Sequence, residues 1–168
     1  MSFQLDDDMR AIINSARLVF AATITPDGTP NLSPKGTVRA FDASRIFFLD
    51  IASPRTRANL RHNPAIQLNI VEQTSRRGYR FAGRATLHEG DDVYTRATQQ
   101  VFSEEGSEYP VNCVVVTQVE WAEPLVSPGY WHVSDEWDMR AEWKRRRQIL
   151  DEEFEGHTRR RGPWREAH

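Results

Sequence analysis

Ser53-Pro54-Arg55-Thr56-Arg57 packs two guanidiniums and a hydroxyl behind a Ser-Pro pair that starts a helix, serine as cap and proline in the first turn. A helix start carries positive partial charge and favours acids, so each arginine there is expected to cost about 0.3 to 1 kcal/mol. An anion reverses that sign. The amides of residues 55, 56 and 57 point out of such a start. A phosphate would accept from them, from the Thr56 hydroxyl and from both guanidiniums. The competing explanation is that the arginines are solvated, or paired with Asp50 or another acid at a strand end.

A second cluster, Ser33-Pro34-Lys35-Gly36-Thr37, sets a proline and a glycine inside a strand-like run. That combination belongs at an edge or a bulge, where a flat molecule can approach the backbone. Exposed amides there could meet the polar edge of a ring, and Lys35 would add positive charge. An ordinary kinked edge strand with a solvated lysine accounts for the same residues.

Other chemistry has little support. The five histidines form no HExxH and no helical pair, and neither a Walker loop nor GxGxxG is present. Cys113, the single cysteine, sits in the apolar run 111–116, where a buried inert thiol is expected. One cysteine excludes a disulfide framework and points to a reducing compartment. The carboxylates at 6–8, 104–105 and 151–153 suit helix ends and solvated faces. With a net charge of −2, the 168-residue chain has no global basic excess for holding nucleic acid. No apolar run is long enough to span a membrane, and the acidic start differs from the basic start of a signal peptide. The expectation is a cytoplasmic protein.

The elements that must position these clusters are mostly strands. Residues 6–16 read as a short amphipathic helix behind three aspartates, and 18–24 as a strand closed by the turn Thr25-Pro26-Asp27-Gly28. Strands follow over 31–40 and 46–51, and a helix from Pro54 is stopped by Asn63-Pro64. Alternation over 66–70 and 79–87 gives two half-buried strands joined by a loop at 72–76. A helix over 91–102 and a long strand over 111–126 complete a first domain, residues 1–130. Residues 131–168 read as a helical extension docked by Met139, Trp143, Leu150 and Phe154 on the barrel or on a dimer partner, with a frayed or partner-dependent tail from Gly156 through Arg159-Arg160-Arg161 and Gly162-Pro163. Six antiparallel strands without strand-helix alternation predict a mainly β, α+β fold, a small barrel with peripheral helices.

The order of these segments resembles the pyridoxamine 5'-phosphate oxidase-like family of FMN-binding split β-barrels. The resemblance rests on residues 26–30, 31–36, 47–51, 53–56, Asn59-Leu60, Asn63-Pro64 and Gly83-Arg84-Ala85. It implies a six-stranded antiparallel split barrel. It places the FMN phosphate on Arg55 and Thr56, joined by Ser53 and Asn59, and the isoalloxazine ring along Lys35, Gly36, Thr37 and Val38. It further implies a homodimer with the flavin in the groove between subunits. Two departures argue against vitamin B6 oxidation: Arg77-Gly78 replaces an Arg-Gln pair, and Pro163-Trp164-Arg165 is too slight for the oxidases' C-terminal substrate grip. The same fold hosts binders of the deazaflavin F420 and of haem, and His62 beside Asn63-Pro64 reads as a polar helix-end residue.

The function expected is therefore that of an FMN-dependent oxidoreductase acting on a small molecule. Lys35 and Arg80 are candidates for a cation near the flavin N1 and O2 edge, and Trp121, Tyr130, Trp131 and Trp137 for aromatic walls or for packing. An F420-dependent reductase or a non-catalytic flavin binder would share the phosphate contacts. A single-stranded nucleic-acid-binding barrel would rest instead on residues 144–147 and 159–161 with Trp143 and Trp164.

Overall fold

The computed structural model describes residues 3–16, 18–106 and 108–161. They form helix α1 (Asp7–Ser15), strands β1 (Val19–Ile24), β2 (Pro30–Lys35), β3 (Arg39–Ala40) and β4 (Arg45–Asp50), and helix α2 (Pro54–His62). Strands β5 (Ala65–Glu72) and β6 (Arg77–His88), helix α3 (Asp92–Glu105), strand β7 (Cys113–Val126), a 3-10 turn (Pro128–His132) and helix α4 (Glu136–Arg161) follow. The strands make one sheet in the order β2-β1-β5-β6-β7-β4-β3. It is a mostly antiparallel half-barrel with four helices. Seven strands stand where six were expected. The run read as one strand over 31–40 breaks at Gly36, which bends the backbone and leaves β3 to pair with β4 alone.

Local chemistry sets the joints. Asp6 caps α1 by accepting from the Met9 amide at 2.7 Å, and Ile12 and Ile13 fill its buried face. Gly28 takes φ 86° in the β1–β2 turn, a conformation that suits glycine. β4 reads as an unbroken apolar run because both its faces are covered. Ile46 and Phe48 join Val19, Leu68, Phe81 and Val115 in the main core. Phe47 and Leu49 pack on the other side with Ala97 and Val101 of α3.

α1 is tied to β6 by charge. Arg77 donates to both oxygens of Asp8 at 2.8 Å and the Tyr79 hydroxyl donates to it at 2.6 Å. The Arg77 hydrogen bond, then that of Tyr79, holds the Asp8 carboxyl below its usual range, and Asp8 in turn pushes Tyr79 up to about 12. A depressed folded pKa means the tie contributes fully above the ordinary aspartate value of about 3.9 and is lost as pH falls through the lower folded value. Asp8→Asn should therefore be less stable than the parent at neutral pH and lose less on acidification, measured as Tm against pH. Parallel curves for parent and variant would refute this.

The chain divides into two compact units, residues 1–72 with 77–125, and residues 73–76 with 126–168. In the second, Tyr130 donates to the Ser75 carbonyl, Arg140 to Thr74 at 2.8 Å and Arg147 to Gln73 at 2.9 Å. The Arg76 guanidinium stacks 4.0 Å from the Trp143 ring centroid. The 73–76 loop is thus the post on which α4 is held. The expected docking stripe is covered only at Met139 and Trp143; Leu150 and Phe154 are exposed. The helical backbone of α4 runs through Gly156 to Arg161. Gly162, Pro163, Trp164 and Arg165 lie outside the described residues.

Candidate functional site

The sheet's curl builds the site. β2 is one edge of the sheet and β4 lies next to the other, yet Lys35 at the end of β2 reaches Ser53, just after β4. Lys35 is 5% exposed, and its ammonium donates to Ser33 Oγ and Ser53 Oγ at 2.6 Å each. Burial pushes the Lys35 amine down and the nearby Asp50 carboxylate partly offsets it. Asp50, at 1% exposure, is engaged elsewhere: it accepts from Arg57 at 2.7 Å and from the Ser53 amide at 3.0 Å.

The start of α2 is left open. Ser53 is its cap by position, but makes no side-chain capping bond because its oxygen accepts from Lys35. The Arg57 amide, expected to be free, donates to the Ser53 carbonyl at 3.1 Å. Among the described residues the amides of Arg55 and Thr56, the Thr56 hydroxyl and the Arg55 guanidinium have no partner, and Thr56 is 2% exposed. The competing explanation accounts for both arginines as the chain stands: Arg57 pairs with Asp50, and Arg55 is exposed without an acid. Asp50 is paired with Arg57 and its charge also acts on Lys35, while Arg55 stands in the first turn of α2 without an acid, a set of groups that suits a polyvalent anion.

The remaining sequence candidates are placed as follows. Asn59 anchors α2, donating to Thr23 Oγ1 at 3.0 Å, where Asn31 also donates. Thr37 is buried and its hydroxyl accepts from the Leu49 amide at 2.9 Å; Val38 lies in the core; Gly36 is the exposed member of that trio. Arg80 is not brought to Lys35. Register puts Lys35 opposite Val19 on the inner face, while Arg80 pairs with Asn69 and Asn69 with Phe20 on the outer face. Arg80 is ion-paired to Glu123. Trp131 and Trp137 are 83% and 81% exposed and Trp121 41%, so the core of a single chain does not take them up. Cys113 is fully buried and its thiol is pushed up to about 11, chiefly by burial, as an inert thiol should be. His62 is exposed at the end of α2, and no cluster of metal-ligating side chains exists among the described residues.

A shallow outer cavity of about 310 Å³, lined by Phe20, Ala22, Leu32, Gln67, Asn69 and Arg80, escaped the sequence reading. Its signal was present: Phe20 and Leu32 are large apolar residues at outward positions of β1 and β2, 40% and 65% exposed. Ser33 was also missed as a holder of the site, and Asp50 was named only as a partner for the arginines. Ser33 faces inward opposite Ala21, which only the register reveals.

A half-barrel whose two ends meet at an anion-ready helix start is a split β-barrel. The chain belongs to the pyridoxamine 5'-phosphate oxidase-like family: residues 5–124 match the profile of the family described as pyridoxamine 5'-phosphate oxidase. No curated protein matches it by sequence. Among solved structures it is similar to HupZ of Group A Streptococcus, at 27% identity and TM-score 0.65, over 73% of this chain and 94% of that one. An FMN-binding protein of Syntrophomonas wolfei shares the fold at 14% identity and TM-score 0.63, over 73% and 87%. HutZ of Vibrio cholerae, described as a heme storage protein, does so at 15% and 0.57, over 74% and 95%.

Proposed function

We propose that the chain binds FMN, with the phosphate at the start of α2, and acts as a flavin-dependent oxidoreductase on a small molecule other than a B6 vitamer. The observation that carries this reading is the unengaged Arg55 and Thr56 beside the buried Lys35 ammonium. The residues present fit a phosphate: two free amides, a free hydroxyl and a guanidinium donate, and Ser53 keeps its own proton to donate. A phosphate there would restore the depressed Lys35 amine and offset the arginines at the helix start. Bound flavin supplies two-electron transfer; the protein supplies placement and charge. The exposed backbone of Gly36 is the accessible part of the stretch assigned to the ring edge. Because Arg80 is ion-paired on the other face, Lys35 is the cation on the inner side.

The uncovered strip Leu18, Phe20, Ile24 and Leu32, each 40% exposed or more, supports a homodimer built on the β1–β2 face with the flavin in the inter-subunit groove. Diluting such a dimer should release cofactor. A single buried cysteine suits a cytoplasmic setting; no helix among the described residues is long and apolar enough to cross a membrane.

Arg55→Ala should weaken FMN binding roughly 10- to 100-fold, the worth of hydrogen bonds to a charged group, while Arg145→Ala on α4 should leave it unchanged. A fluorescence titration showing equal effects would remove the phosphate assignment. The absorption spectrum of the purified protein separates flavin from haem, and the mass of the molecule released by heat separates FMN from F420.

A further inference from the structure

α4 carries an apolar stripe, buried or half-buried along its first half and more exposed along its second. Met139 is buried, and Trp143 is flanked by Arg76 and Arg146 at 4.0 and 5.3 Å from its ring centroid. Seven residues on, two helical turns along the same face, Leu150 is 56% exposed and Phe154 64%, and Ile149, about 100° round the helix from Leu150, is 52% exposed. Charge around these residues is segregated. Lys144, Arg145, Arg146 and Arg147 precede Gln148-Ile149-Leu150, and Asp151, Glu152, Glu153 and Glu155 follow. Four cations, an apolar centre and four carboxylates make a sequence that complements itself when reversed. Pairs within the helix, Arg145 and Arg146 to Glu142 and Arg147 to Asp151 at 3.7 Å, leave that order intact.

We propose that α4 pairs antiparallel with α4 of a second copy of this chain, centred on Ile149 and Leu150. The basic block of each copy then lies against the acidic block of the other, and the two-fold axis repeats every contact. A parallel pair would set like charges side by side, which is unfavourable. At the centre the exposed Ile149 and Leu150 cover each other, and position 146 of one copy lies against position 153 of the other. A helix pair this short covers less than the roughly 1,200 Å² of a self-sufficient interface. The association is therefore weak and, being held by charge, loosens as salt shortens the screening length to about 3 Å at 1 M. The inference is independent of the flavin reading.

The test uses full-length chains carrying new cysteines, since Cys113 is buried and silent. Arg146→Cys mixed with Glu153→Cys should give, on mild oxidation, several-fold more cross-linked dimer than either variant alone, and high salt should reduce it. Leu150→Cys should cross-link to itself. Reversing residues 144–147 to glutamate in Leu150→Cys should abolish that product, and also reversing Asp151, Glu152, Glu153 and Glu155 to lysine should restore it. Dominant 146–146 cross-links, no intermolecular product, or failure of the double reversal to rescue would each overturn the proposal. So would absence of cross-links together with salt-sensitive binding of a single-stranded oligonucleotide, which would assign the basic block to nucleic acid.

Discussion

Asp50→Asn should cost about 3 kcal/mol of folding stability, the lower end of what removing one partner of a buried ion pair costs. Asp50 is 1% exposed and is the acid that serves both Arg57, at 2.7 Å, and the charge of Lys35. Asparagine keeps the shape and can still accept from the Ser53 amide, so the loss is one of charge. Lys35 then holds a buried ammonium with only the Ser33 and Ser53 hydroxyls about it. Arg57 is 23% exposed and keeps some water, which sets the estimate at the lower end. Against a total stability of about 5 to 15 kcal/mol, such a loss is readily measured by urea unfolding. The variant also separates structure from site. With the internal anion gone, added phosphate should stabilise Asp50→Asn more than the parent, because Lys35 and Arg57 then lack the acid that offsets them. A loss under about 1 kcal/mol, or equal stabilisation by phosphate, would show that Asp50 does not balance this cluster.

The start of α2 was legible because its signals are local: a Ser-Pro pair, then cations where a helix favours acids. What local sequence leaves open is which arginine an acid takes. Asp50 is seven residues from Arg57, and only the fold shows that it reaches Arg57 and leaves Arg55. The strands were legible by alternation, except where Gly36 breaks one into β2 and β3, since a bend that leaves β3 paired to another strand has no period of its own. Lys35 was legible as a candidate cation beside the bulge, with a solvated edge lysine as the competing reading, but not as a buried group. Its burial follows from the closure of the barrel, which carries Ser53 to it across 18 residues of chain. Asn59 read as a cofactor residue and also ties α2 to β1, a role that depends on Thr23, 36 residues away. The stripe on α4 was visible as a period, but a period shows which residues share a face and not what covers it. Leu150 and Phe154 continue the face of Met139 and Trp143 and are exposed.

Because Lys35 and Asp50 come from opposite ends of the sheet, the site depends on the strand that joins them. β6 is the middle strand, with β2, β1 and β5 to one side and β7, β4 and β3 to the other. Gly83 of β6 allows β7 to approach so closely that a Cβ there would lie 1.9 Å from the Gln118 carbonyl oxygen, a backbone atom. Nor can β7 easily withdraw. Gln118 pairs with Arg45 of β4, its side chain donates to the Ser44 carbonyl, and the Val119 amide donates to the same carbonyl at 3.0 Å. Gly83→Ala should therefore cost about 3 kcal/mol, a fall in Tm of roughly 6 to 12 °C for a chain of this size. Gly78 is the control. A Cβ there would lie 1.9 Å from the Ile70 carbonyl oxygen, the same clash but within the β5–β6 pair, on one side of the joint. Gly78→Ala should lose comparable stability. Only Gly83→Ala should also move Lys35 relative to Ser53 and Asp50, and so weaken FMN binding in samples that remain folded. Equal FMN affinity in the two folded variants would show that the anion site does not depend on closure of the barrel at β6 and β7.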